Sequence, residues 1–421
     1  MSNSPSKYLP PSLKSKPEVA AFLALAGCVS LAMVSIAASE ILLAVAGLGY
    51  LWLRRQQDGP VPPGMKIILP MLAFMAWMII AALASPNPAL GLTIAKKFYL
   101  YLLVFLVPFI ARGEGRAIWI CKALFATAVV ASLSGLGQFI SDPHRDLLHR
   151  ISGFMSQWMT YSGLLMLALV ILVAYALRFG LKRHVWVIPA LACIFPALLF
   201  SQTRSSWMGA MAGIAVLILL WRPRAIAVLV LLVVALYLLS PDMIKERFRS
   251  GLDPSDPNTR NRIELFQTSM RVIRDHPWLG VGPKNVKHEA LKYRGRNEFP
   301  DWMYQHMHNN VLQIAAETGI VGLALWLWFM LRLAWDALGT YRRALRGVSY
   351  PGGERLRREA AMISSAALGS WASLVAAGLF EYNFGDSEVL ILFLFAMSAP
   401  YAFAQCKAAD PVARAEPVSR R

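Results

Sequence analysis

Twelve apolar runs constrain this chain more than any other feature. They fall at about 19–36, 39–53, 66–84, 97–111, 117–140, 158–177, 185–200, 206–221, 225–240, 310–331, 360–380 and 387–405. A helix of about 20 apolar residues matches the hydrocarbon thickness of a bilayer. Lipid offers no partner for an open backbone amide, so such runs cross as helices. The shorter runs cross only by drawing on their flanks or by thinning the bilayer locally. Composition agrees, because 57% of the 421 residues are hydrophobic and only 16% are charged, against roughly 45–50% and about 25% in soluble domains. Disorder, collagen and a small disulfide scaffold are excluded. The predicted fold is all-α: a polytopic membrane protein of about 12 transmembrane helices. A tail occupies 1–18, helices one to nine lie within 19–240, a large loop spans 241–310, helices ten to twelve lie within 311–405, and a second tail covers 406–421.

The formal charge of +18 would suggest nucleic acid in a soluble protein. In a membrane protein it reads as topology, because cytoplasmic loops collect Lys and Arg. With the N-terminus inside, the inner segments hold 24 Lys and Arg, and the short outer loops hold 5. Long loops translocate regardless of charge, so the 12 basic residues of 241–310 do not enter that comparison. Both termini are therefore expected in the cytoplasm and the large loop outside. Lys7, Lys14 and Lys16 precede the first run in the manner of a signal peptide, but a second run follows at once and the cleavage signal is poor, so a retained first span is expected. Cys28, Cys121, Cys193 and Cys406 form no CxxC pair and suggest neither a disulfide framework nor zinc.

The loop 241–310 balances its 12 basic residues with 9 acidic ones. It opens on a turn-rich stretch from Gly251 to Asn258 that contains Pro254 and Pro257. A helix is expected over Arg260 to Asp275, where Ile263, Phe266, Met270 and Ile273 recur at helical spacing, and the run His276 to Pro283 breaks it. Loops this long in a compact protein are usually functional.

Three arginines on the outer side point to a phosphate-bearing ligand. Arg204 lies in a turn of about five residues at the membrane surface. Arg260 and Arg262 open the loop helix, where free N–H groups already favour an anion. A guanidinium matches phosphate oxygens bidentately and keeps its charge; for each arginine alone, snorkelling or ordinary surface pairing competes evenly. His306-Met307-His308-Asn309-Asn310 stands where the loop meets span ten, with Asn309 or Asn310 as its cap. An interfacial histidine without chemistry is the commonest outcome for such a residue. A general base and a His-x-His metal site stay open beside it, the metal being weakest because no other ligand cluster stands at suitable spacing. Glu381, Asp386 and Glu388 form an outward acidic patch between the last two spans, which could orient the histidine or hold sugar hydroxyls but reads first as a solvated turn. Arg145 and Arg150, with His144 and His149, rank below Arg204 because Asp142 and Asp146 can neutralise them. No Walker loop, GxSxG elbow or Ser-His-Asp order occurs.

These stretches together resemble the O-antigen ligase and polymerase superfamily. Ser201-Gln202-Thr203-Arg204-Ser205-Ser206-Trp207 is similar to its S/T-x-S/T-R-x-x-W element. Asn261-Arg262-Ile263-Glu264-Leu265-Phe266 followed by Trp278-Leu279-Gly280-Val281-Gly282 resembles its R-x-x-x-[WF] … P-x-x-G-x-G element. His308-Asn309-Asn310-Val311-Leu312-Gln313 with Glu317-Thr318-Gly319-Ile320-Val321-Gly322 resembles its H-N-x-x-L-Q … E-x-G-x-x-G element. The resemblance implies a periplasmic, inverting glycosyltransferase of the bacterial inner membrane. Its donor would be a polysaccharide on undecaprenyl pyrophosphate and its acceptor the outer-core sugar of lipid A-core. Carried over by motif, His308 would be the base, and Arg204 and Arg262 would bind the donor pyrophosphate; Arg260 is added by proximity. No cofactor, metal or nucleic acid is expected. A polymerase or a protein O-oligosaccharyltransferase of the same superfamily would share the donor, and a compact loop without an added soluble domain favours the ligase. A solute transporter of two six-helix halves is the non-enzymatic alternative; the absence of a matching half-repeat and the scarcity of ionisable residues at span centres speak against it.

Overall fold

The computed structural model describes residues 9–10, 12–13, 15–56, 66–142, 150–251, 253–295, 299–346 and 353–403. Each apolar run of the sequence lies on a helix. The first nine runs are carried by α1 (Lys16–Leu31), α2 (Ile36–Gln56), α3 (Ile68–Leu83), α4 (Pro88–Gly91) continued through a tightly wound stretch into α5 (Leu103–Ile110), α6 (Arg116–Ser141), α7 (Trp158–Phe179), α8 (Val187–Phe200), α9 (Arg204–Trp221) and α10 (Ile226–Leu239). The loop carries α11 (Asp242–Arg249), α12 (Pro257–Asp275) and α13 (Val286–Tyr293). The chain then returns through α14 (Asn310–Leu345), α15 (Gly353–Gly378) and α16 (Ser387–Ser398). The fold is thus an all-α polytopic membrane protein. By length and composition, seven of the described helical segments suffice to cross a bilayer, or eight if the bent pair Pro223–Leu239 and Asp242–Arg249 is one broken span. Ile68–Leu83, Val187–Phe200 and Ser387–Phe403 are shorter apolar helices, and a total of twelve spans needs these three and α1 to cross as well.

The centre of the bundle is α7, α15 and α16, which are buried along most of their length. α15 packs on α7, α9 and α14. Its contact with α9 is close because small residues line it: a Cβ at Gly213 would stand 2.7 Å from the Gly369 carbonyl oxygen. Small residues let helix backbones approach where lipid supplies no hydrophobic drive between helices.

α14 is broken at Gly319, whose φ of 70° and ψ of −176° are closed to most side chains. The break frees backbone groups that the loop then satisfies. Val281 N–H donates to the Ala316 carbonyl at 2.8 Å, Gly282 N–H to Glu317 at 2.9 Å, and Ile320 N–H to Pro277 at 2.7 Å. Trp77 Nε1 donates to Thr318 at 2.9 Å. The run after α12 is therefore docked into the interrupted helix that begins just after His308. The loop also has a small core of its own, including Leu265, Val272, Val281, Val286, Ala290 and Tyr304. The buried Glu264 ties it together, accepting from Gly295 N–H at 2.7 Å and Thr268 Oγ1 at 3.0 Å.

α12 forms where the helical spacing predicts it. Ile263, Phe266 and Met270 are about half exposed, Ile273 packs on the loop's core, and Glu264, Leu265, Thr268, Ser269 and Val272 are buried. Periodicity identifies a face, not what covers it. The helix start is also not open to an anion, because the Asp256 carboxylate accepts from Asn258 N–H at 3.0 Å and Thr259 N–H at 3.2 Å.

Candidate functional site

The site is built where the start of α14 meets the turn between α15 and α16. Asn309 caps α14 by accepting from Leu312 N–H at 2.9 Å, and its amide donates to the Leu379 carbonyl at 2.8 Å. Asn310 donates to Asn383 Oδ1 at 2.7 Å and accepts from Phe384 N–H at 3.1 Å. Met307 N–H donates to Gln313 Oε1 at 2.8 Å. These bonds lock His308 in a left-handed conformation, φ 43°, that a non-glycine residue adopts only when its surroundings impose it.

That conformation places the His308 ring on Glu381, with Nδ1 3.1 Å from both carboxylate oxygens. Glu381 is only 7% exposed, which corrects the reading of this turn as merely solvated. Burial alone would raise its carboxyl, but the charge and hydrogen bond of His308, with His306 and Arg262, outweigh it and hold it at about 2. An ionised carboxylate only accepts, so Nδ1 carries the proton of this bond, and in the neutral ring Nε2 presents a lone pair. The His306 ring lies tilted against that of His308, 4.1 Å between centroids. Burial, reinforced by His308, pulls it down to about 4, and its buried Nδ1 has no hydrogen-bond partner. His306, His308 and Glu381 each offer a ligand atom within 4.8 Å of the others. Among the described residues, these three form the group that could hold a metal. Spacing along the chain conceals them because Glu381 is 73 residues from His308.

Next to this pair stands a group of arginines. Arg262 lies 5.8 Å from the Phe380 ring centroid and within the field of Glu381. Burial pulls its guanidinium down, and Glu381 pulls it back up. Arg204 donates to Ser250 Oγ at 3.1 Å from the first position of α9. Arg150 lies 5.1 Å from the Trp158 ring centroid with its buried Nε unpartnered. Burial, then the charges of Arg204 and Arg262, bring it to about 10. It therefore belongs with Arg204, not below it. Arg247, which sequence reasoning passed over, is 7% exposed. Its Nε donates to the Gln202 carbonyl at 3.1 Å, and its buried Nη1 has no partner. Burial, then Arg150, Arg204 and Arg262, pull it to about 9. Four guanidiniums that repel one another, two with unspent buried donors, are an arrangement that a multiply charged anion would relieve. The only sequence signal for Arg247 was its place in the basic run Lys245, Arg247, Arg249.

Other expected residues fall elsewhere. Arg260 is exposed and is not among the charges acting on Arg247. Asp386 accepts from Thr160 Oγ1 at 3.1 Å, and burial together with Glu381 raises it to about 7. Arg145 lies outside the described residues.

Comparison with known proteins agrees with the resemblance. The family model described as O-antigen ligase matches residues 189–327, a stretch that contains Arg204, Arg247, Arg262 and His308. An "O-antigen ligase" of Pseudomonas aeruginosa is 24% identical over 308 residues, 68% of this chain and 68% of that protein. Proteins named "Putative polysaccharide ligase" share 23% identity in Rickettsia conorii, over 66% of this chain and 70% of the relative, and 26% in Rickettsia felis, over 61% and 65%. The chain thus matches about two thirds of the length of these relatives. The chain is thus similar to O-antigen ligases over the segment that carries the arginines and the histidine.

Proposed function

We propose that this protein is an O-antigen ligase: an inverting, metal-independent glycosyltransferase. It moves polysaccharide from undecaprenyl pyrophosphate to lipid A-core on the periplasmic side of the bacterial inner membrane. The observation that carries the reading is the His308–Glu381 pair standing beside Arg150, Arg204, Arg247 and Arg262. An acceptor hydroxyl oxygen attacks the anomeric carbon as the bond to the pyrophosphate oxygen breaks. The hydroxyl proton passes to His308 Nε2, and Glu381 stabilises the resulting imidazolium through Nδ1–H. The pyrophosphate leaves with its electron pair, and fixed guanidiniums meet the charge that gathers there without reorganising. No acid is needed for so good a leaving group. A single displacement inverts the anomeric centre.

Deleting the gene and resolving the lipopolysaccharide ladder tests the reaction class. Loss of long chains with undecaprenyl-linked polymer accumulating is expected. A single-repeat cap would mean a polymerase, and an intact ladder would mean protein glycosylation or transport. With purified protein, His308→Ala should abolish transfer while donor affinity changes little, and transfer should survive excess chelator. Activity lost to chelator and restored by a divalent cation would overturn the metal-free account and turn attention to His306, His308 and Glu381.

A further inference from the structure

A cavity of about 600 Å³ adjoins the His308–Glu381 pair, and none of the four clustered arginines lines it. Glu381 and His306 form part of its wall, so it comes within one ring of His308. Its other walls are Gln157 and Thr160 at the start of α7, Lys97, Lys284 and Lys287, and Tyr382 and Asp386 beside α16. Such a volume holds a ligand of several rings rather than an ion.

The lining differs in kind from the arginine cluster. The carboxyl of Asp386, which accepts from Thr160, and the amides of Gln157 and Gln305 line the cavity, groups of the kind that pair with vicinal hydroxyls. Tyr382 and Phe98 add aromatic faces. Two of the cavity's carboxylates are already engaged: Glu381 by His308, and Glu317 by Lys284 N–H and Gln313 Nε2, each at 3.0 Å. Lys97 Nζ donates to the Gly385 carbonyl rather than to a carboxylate. Lys284 and Lys287 are exposed and line the cavity.

We infer that this cavity receives the sugar end of the acceptor, and that Lys284 and Lys287 select an acceptor bearing an anionic group, phosphate or carboxylate, near that sugar. The assignment rests on the glycosyl-transfer reading above. It separates the two substrates across the His308–Glu381 pair: pyrophosphate on the arginines, acceptor hydroxyl from the cavity side.

The test uses the full chain in lipid nanodiscs with an undecaprenyl-pyrophosphate-linked glycan and lipid A-core. The double variant Lys284→Asn, Lys287→Ala changes two exposed positions, and asparagine tolerates the left-handed backbone of Lys284, φ 65°. It should raise the acceptor KM about tenfold or more, with donor affinity unchanged. Asp386→Asn should also raise acceptor KM. Phosphatase-treated or carboxyl-reduced acceptor should show the same loss on the wild type and no further loss on the double variant, and whichever treatment does so names the anion. An unchanged acceptor KM, or donor affinity falling in step, would overturn the assignment. Acceptor binding measured without donor keeps the two readings apart. Binding by the wild type that the variants lose, with no transfer, would sink the ligase reading and leave the cavity as a glycolipid site. No binding by the wild type would sink both.

Discussion

Glu381→Gln isolates what the carboxylate does for His308. The amide keeps nearly the same shape but loses the charge, and it can offer either an acceptor or a donor to Nδ1. The carboxyl is held at about 2 against an ordinary glutamate near 4.3. At about 1.36 kcal/mol per unit, that is roughly 3 kcal/mol of net stabilisation of the carboxylate. His308 is its largest source, with smaller shares from His306 and Arg262. The amide removes the charge that faces the imidazolium, and loss of the enforced tautomer adds to this, because a general base contributes about 10²–10⁴-fold only when its lone pair faces the proton. Glu381→Gln should therefore lower single-turnover transfer by on the order of 10²- to 10³-fold, with donor binding within a few-fold of wild type. Combining it with His308→Ala gives the sharper reading. If Glu381 acts through His308, the second change costs almost nothing once the histidine is gone. Additive losses, or Glu381→Gln keeping more than half its turnover, would refute the assignment.

Arg247→Met should weaken donor binding by roughly 30- to 150-fold, like Arg204→Ala and Arg262→Ala, because one charged hydrogen-bonding partner is worth about 2–3 kcal/mol; Arg→Lys should restore only part, lacking the fork. Titration of a fluorescent donor analogue measures this, and unchanged affinity for Arg247→Met would remove it from the site. Gly319→Ala should destabilise the protein by several kcal/mol, since the added Cβ would stand 2.1 Å from the Trp278 carbonyl oxygen and φ is positive; a melting temperature in detergent equal to wild type would contradict the docking of the loop into α14. Asp386, raised to about 7 by burial and Glu381, stays protonated in the folded protein where the unfolded chain has already ionised near 4. The folded state then binds the extra proton, so its contribution to stability falls as pH rises from about 4 to about 7 and is level above. Asp386→Asn should flatten that part of the melting profile, and an unaltered slope would refute the buried acid. Single cysteines at Ser255 and Ser349 in a cysteine-free background should behave oppositely towards an impermeant thiol reagent on spheroplasts; labelling of Ser349→Cys alone would invert the topology.

The sequence by itself determined the helices and their kind. Apolar runs near bilayer length leave the backbone one way to satisfy its hydrogen bonds, and all twelve runs lie on helices. It also marked Arg204, Arg262 and His308, because family motifs survive as short local strings. Tertiary structure alone decided which distant groups meet. Glu381 is 73 residues from His308 and reads as a surface acid until the start of α14 is tied to the end of α15. Arg150 and Arg247 read as surface basic residues until packing sets them among like charges, although they lie 54 residues before and 43 residues after Arg204 in the chain. Ile263, Phe266 and Met270 show the converse, a helical period legible in the sequence on a face that the fold leaves about half exposed. Local patterns encode which conformation a segment takes; burial, shifted protonation and orphaned donors depend on what the rest of the chain brings against it, and no local pattern carries that.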